Sequence, residues 1–105
     1  MSIDPSAAAL QPPPDAEPYK QTRSFTEETV PATLLNEHST KDGVWVLIHV
    51  EQGKLRYCVT DPRRLPSERI LTADDFPGVV EPMILHRVEP IGPVRFHVQF
   101  LRERG

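Results

Sequence analysis

A chain of 105 residues with a formal charge of −3, its acids and bases mixed along the length, lacks the basic surplus that binding to a phosphate backbone requires, which argues against nucleic acid as a partner. The single cysteine, Cys58, rules out an internal disulfide framework and a thiolate zinc cage, and fits a reducing compartment. No apolar run approaches the ~20 residues that cross a bilayer, and the N-terminus has neither a basic start nor an apolar signal core. The expectation is a soluble, cytoplasmic protein without a membrane partner.

Residues Met1 to Lys20 carry Pro5, Pro12, Pro13, Pro14 and Pro18 among alanines, serine and acids. So little apolar surface cannot offset the entropy of ordering, and positions 1–20 read as a disordered Pro/Ala-rich tail before a single domain at 21–105. The PPP run lacks the basic-flanked P-x-x-P pattern of a polyproline ligand.

From Gln21 onward, short β-prone segments alternate with turn signals, the pattern of an all-β fold. Phe25 to Thr29 begins a strand. Val30 to His38 also reads as a strand, because Pro31 and the turn Ser39 to Gly43 leave no room for a stable helix. Val44 to Thr60 reads as a hairpin: Val44, Val46, Ile48 and Val50 alternate with Trp45 and Leu47, Gly53 supplies a reversal, and Leu55, Tyr57 and Val59 resume the alternation. Asp61 to Ser67 is a loop in which Arg63 and Arg64 are solvated charges, Glu68 to Thr72 a strand, and Ala73 to Gly78 a loop.

The segment Phe76 to Phe100 reads as β-turn-β. It has an apolar run closed by Pro82, His86 in the middle, a second turn at Pro90 to Pro93, and a strand with Val94, Phe96, Val98 and Phe100 on one face. The predicted core is Leu34, Val44, Val46, Ile48, Leu55, Tyr57, Val80, Val88, Val94, Phe96, Val98 and Phe100. Cys58, in a strand without a helix start to lower its pKa, is a small packing residue.

There is no Gly-rich phosphate loop, no G-x-S-x-G, no H-E-x-x-H and no C-x-x-C. Four histidines remain: His38, His49, His86 and His97. His49 shares a face with Trp45, Leu47 and Glu51 and reads as a surface or packed residue. His97, between Arg95 and Gln99, is either an outer-face residue or a pocket ligand. His86 stands four residues after the rigid Pro82, which aims its strand.

Three blocks occur in order: His38-Ser39-Thr40-Lys41-x-Gly43-x-Trp45, then Gly53-Lys54-Leu55, then Val80-Glu81-Pro82-x-x-x-His86-Arg87-Val88-Glu89. In these the chain resembles the cupins, and within them the TehB/YeaR-like domain, found alone and at the N-terminus of some tellurite-resistance methyltransferases. The resemblance implies a small cupin-like barrel of the double-stranded β-helix type, a stress-response setting, and a ligand pocket at His38, Thr40, Lys41, Trp45, His86 and Arg87. Together with the exposed edge strands of a small barrel, it also implies a homodimer. It does not bring methyl transfer, because the 105 residues contain no βαβ unit for S-adenosylmethionine.

The wider cupin pattern holds a metal with two histidines and a glutamate from the first motif and one histidine from the second. Here the first motif has His38 alone, with Trp45 and Val46 where the glutamate is expected. His38 and His86 would then hold a single divalent metal (Zn, Fe, Mn or Ni) only with Glu81, Glu37 or His97 as the third ligand. Two functions follow. One is a module that binds or senses a small molecule, with an anion among the candidates; the other is a metal-dependent enzyme. The first is preferred, because a pocket needs only shape and a few polar groups. A third reading makes the same residues hydrogen-bonded polar groups at the barrel mouth.

Overall fold

A computed structural model describes residues 11–104. The order of elements is β1 (Glu17–Gln21), β2 (Phe25–Thr26), α1 (Ala32–Leu35), β3 (Val44–Val59), β4 (Ser67–Thr72), β5 (Gly78–Val80) and β6 (His86–Arg102). Among the described residues the fold is all-β apart from one helical turn. All strand pairs are antiparallel, in the order β1-β6-β3-β4, with β2 on β6 and β5 on β3.

Two long strands organise the sheet. β3 and β6 run side by side over their whole length, from Val44 opposite Arg102 to Val59 opposite His86. The hairpin expected over Val44 to Thr60 is therefore absent: Gly53 sits at a bulge in one continuous strand. Its φ is +78°, and a Cβ there would collide with the Pro93 carbonyl oxygen, so the two backbones approach as closely as only glycine permits. The register shifts between Val50 and Gln52 and again between Gly53 and Lys54. Likewise, Pro90 to Pro93 is a bend within β6 rather than a turn between two strands. Bulges of this kind bend both strands together, and the sheet folds over without closing into the expected barrel.

The inner faces of the two halves share one core. Val46 and Ile48 from the first half of β3, Leu55 and Tyr57 from its second half, and Val88, Val94, Phe96 and Val98 from β6 belong to one buried cluster with Phe25, Leu71 and Val80. Leu34 and Phe100 pack on it partly buried, and Val44 is half-buried. The expected core is thus in place, and Phe25 and Leu71 join it from β2 and β4.

Two boundaries differ from expectation. Val30 to His38 contains a helical turn at Ala32–Leu35 instead of a strand: Pro31 occupies the N-cap position, and Asn36 closes the turn by donating from its backbone N–H and side-chain Nδ2 to the Ala32 carbonyl. The final residues of the expected tail are also structured. Glu17–Gln21 pair with Gln99 to Arg102, Tyr19 packs on Phe100 and its ring takes the Arg102 guanidinium, so sheet hydrogen bonds and aromatic contacts offset the lack of aliphatic side chains. Positions 1–10 of that tail lie outside the described residues.

Candidate functional site

Between the two halves of the sheet lies a cavity of about 350 Å³. Its walls are mostly hydrocarbon, from Val46, Ile48, Val88, Phe96, Val98 and Phe100, and its polar-bearing residues are His38, His86, the segment Ser39 to Lys41, Thr33 and Tyr19. Alternation along β6 decides this: His86 shares the inner face with Val88, and the pairings Val59–His86 and Tyr57–Val88 place Val59 and Tyr57 on that same face.

His38 and His86 face each other across an isolated antiparallel bridge. His38 N–H donates to the His86 carbonyl at 3.0 Å and His86 N–H to the His38 carbonyl at 2.9 Å. Their ring centroids are 4.1 Å apart, tilted by 54°. Nδ1 of His38 lies 2.9 Å from the Asn36 carbonyl oxygen, and Nδ1 of His86 lies 2.9 Å from that of Ile84. Tyr57 meets the His86 ring edge-on at 6.0 Å and donates its hydroxyl to the Val79 carbonyl. Burial pushes the His86 pKa down from 6.5 to about 4, with the neighbouring His38 adding to the effect and the Ile84 hydrogen bond opposing it. His86 is thus a neutral imidazole near pH 7.

The structure divides the expected pocket set. His38, Thr40, Lys41 and His86 line the cavity, whereas Trp45 and Arg87 belong to the opposite face of their strands. Trp45 Nε1 donates to Glu103, and Arg87 lies 3.8 Å from Glu89. The Thr40 hydroxyl serves the loop, donating to the Val44 carbonyl at 2.8 Å and accepting from Met83 N–H at 3.4 Å.

The tentative metal set is divided as well. Glu81 is bound by Arg64 at 3.0 Å. His97 is on the outer face, stacked on His49 at 4.8 Å with Nδ1 donating to Glu51 at 2.6 Å. Glu51 also accepts from Ser24 and Arg95; the Ser24 hydroxyl, then His97, draws its carboxyl below the usual range. Glu37 is exposed and does not line the cavity. Among the described residues no three His, Cys, Asp or Glu side chains gather as a metal cluster. The imidazole pair alone falls short of the three or four protein ligands a first-row ion usually takes.

One supporting residue escaped the sequence reading. Asp61 is buried, takes a two-pronged contact from the Arg63 guanidinium, and accepts from the backbone N–H groups of Arg63 and Leu85. The Arg63 side chain, then these two N–H groups, holds its carboxyl well below the usual carboxylate range. Arg63 also donates to the Met83 carbonyl. Arg63 and Arg64 are therefore paired, where solvated charges were expected, and together with Asp61 they fasten the segment that delivers His86. The signal was the Asp-Pro-Arg sequence at a strand end, where an Asp side chain turns back onto the N–H two residues on.

The profile of the TehB-like domain family matches residues 20–98. The chain is 35% identical over 74 residues to the probable S-adenosyl-L-methionine-dependent methyltransferase TehB of Haemophilus influenzae strain KW20 / Rd, and 34% identical over the same length to TehB of strain 10810. Each match covers 70% of this chain and 26% of the relative, so the chain spans about a quarter of the curated relatives it matches. The crystal structure of Haemophilus influenzae TehB superposes with a TM-score of 0.79 at 27% identity, over 86% of this chain and 32% of that one. A solved Escherichia coli K12 protein superposes with a TM-score of 0.80 over 91% of this chain and 99% of its own, and at 21% identity that likeness concerns the fold alone. With the family profile covering most of its length, the chain belongs to the TehB-like domain family.

Proposed function

We propose that this domain is a binding module that holds a small molecule in the cavity between its sheet halves, in the stress-response setting that the family resemblance implies. The observation that carries the reading is the cavity itself. About 350 Å³ lined by hydrocarbon, with two imidazoles converging at its polar end, has the size and make-up of a small-ligand site. The homodimer is part of the proposal. β1 is an edge blunted by Pro18 and a bulge, whereas the β4 edge has neither and exposes Ile70, so β4 is the edge a second copy would cover.

The test is analysis of untagged protein purified without chelator, by native mass spectrometry and elemental analysis. The expected result is a non-covalent small molecule released on denaturation, or saturable thermal stabilisation by added small molecules, with well under one metal per chain. One equivalent of zinc, iron, manganese or nickel, lost in both His38→Ala and His86→Ala, would replace this reading with a metal centre. Sedimentation showing a monomer at micromolar concentration would remove the dimer.

A further inference from the structure

The polar end of the cavity has a fixed hydrogen-bond polarity. A carbonyl oxygen can only accept, so the contacts from Asn36 and Ile84 require the proton to sit on Nδ1 of both His38 and His86. In a neutral ring this leaves the lone pair on Nε2. Both accepting carbonyls are two residues upstream of their histidine, and the reciprocal bridge pins both backbones. While neutral, neither ring can present an Nε2–H without giving up its bond to a carbonyl.

Protonation would turn the ring into a donor on both sides, but burial holds His86 neutral at pH 7. Most of the remaining wall is aliphatic or aromatic, with Tyr19, Thr33 and the segment Ser39 to Lys41 as its other polar-bearing residues, and the Thr40 hydroxyl already donates to the Val44 carbonyl. Of the cations expected at the pocket, Arg87 belongs to the other face, and Lys41 lines the cavity but is exposed, so water screens its charge. An anion entering here would exchange water for hydrocarbon and lone pairs. A group carrying a polar hydrogen would find an Nε2 lone pair as its acceptor.

We propose that the His38–His86 end of the cavity selects a neutral ligand that donates a polar hydrogen, a hydroxyl or amide N–H on a compact apolar body, and excludes carboxylates and oxyanions of the same size. This rests on the cavity being the binding site and narrows the ligand class to exclude the anion.

Three related aromatic probes test it: p-cresol, toluene and p-toluate, titrated at pH 7.5 into the ¹⁵N-labelled full chain and followed by the amide shifts of β3 and β6. The expected order is p-cresol first, about tenfold or more tighter than p-toluate, with toluene between them. His86→Phe keeps the ring shape, removes both nitrogens and should erase the advantage of p-cresol over toluene; His38→Phe serves if the first variant does not give a native spectrum. Long-range ¹H–¹⁵N correlation of the imidazoles in the free protein should show the Nδ1–H tautomer in both rings. Binding of p-toluate as tight as p-cresol, or an Nε2–H tautomer in either histidine, overturns the assigned polarity while leaving the cavity as a binding site. No shift with any probe, toluene included, overturns the cavity reading and this proposal with it.

Discussion

His38 and His86 exchange both backbone hydrogen bonds while their rings stand 4.1 Å apart, so each imidazole is positioned by the other's main chain. The two belong to separate blocks of sequence, and the bridge makes them one unit. Disturbing the loop at His38 should therefore be felt at the buried His86, where the chemistry of protonation is most constrained.

Acid should weaken the fold in a window set by His86. Its folded pKa of about 4 lies below the ordinary 6.5, so between these values the unfolded chain binds a proton that the folded chain does not. Stability is fully present above pH 6.5 and falls as pH drops toward 4, by roughly 2–3 kcal/mol over the window. Urea unfolding at pH 7 and pH 4.5 measures it, and His86→Phe should flatten the slope across that window.

Asp61 acts lower on the pH scale. With its folded pKa depressed, its stabilisation is complete above the ordinary carboxylate value of 3.8 and drains as pH falls below it. Asp61→Asn should lower the Tm by roughly 5–10 °C at pH 7 and remove the steepening of acid unfolding below pH 4. A Tm within a degree of the parent would show that the Arg63 and Leu85 contacts add nothing.

The two positive-φ glycines near the bend should respond differently. Gly53→Ala meets the Pro93 carbonyl and an unfavourable φ of +78°, and should cost about 3 kcal/mol or prevent folding. Gly92→Ala has φ +68° but open space around its new methyl group, and should cost only about 1 kcal/mol. Equal losses in denaturant melts would mean that the close approach at Gly53 is relieved by movement of β6.

β1 should contribute measurably. A chain beginning at Thr22 loses the pairing with Gln99 to Arg102 and the cover of Tyr19 over Phe100 and the cavity. Against one beginning at Glu17, its Tm should fall by roughly 5 °C or more. Identical melts would return positions 17–20 to the role of a tail.

Alternation made the core legible. Val44 to Ile48 and Val94 to Phe100 show a period of two whatever their partners, so their inward residues could be named in advance. Direction was not legible. Gly53 permits both a hairpin reversal and a bulge, and only the partner strand, tens of residues away, determines which forms. At the site, His38 and His86 stand out through the motif blocks, but Trp45 and Arg87 share those blocks and take the opposite face, because block membership does not fix which face a residue takes; for His97 alternation alone leaves the outer face and the pocket both open, and it takes the outer face. Asp61 was overlooked because a carboxylate beside arginine in a Pro-containing loop resembles any solvated charge until burial is known.

The shared ladder of β3 and β6 also governs how the molecule assembles. The paired positions are 27 residues apart in sequence at Val59 and His86 and 58 apart at Val44 and Arg102. The entropy of loop closure favours the shorter separation, by roughly 0.7 kcal/mol over the longer one. Zippering should therefore start beside the histidine bridge and travel past Gly53 toward the termini, so the histidine end of the cavity is framed before its far wall. Because one pair of strands crosses both halves, neither half can come apart alone. Amide exchange at Val46 and at Tyr57 should share one opening free energy, that of global unfolding.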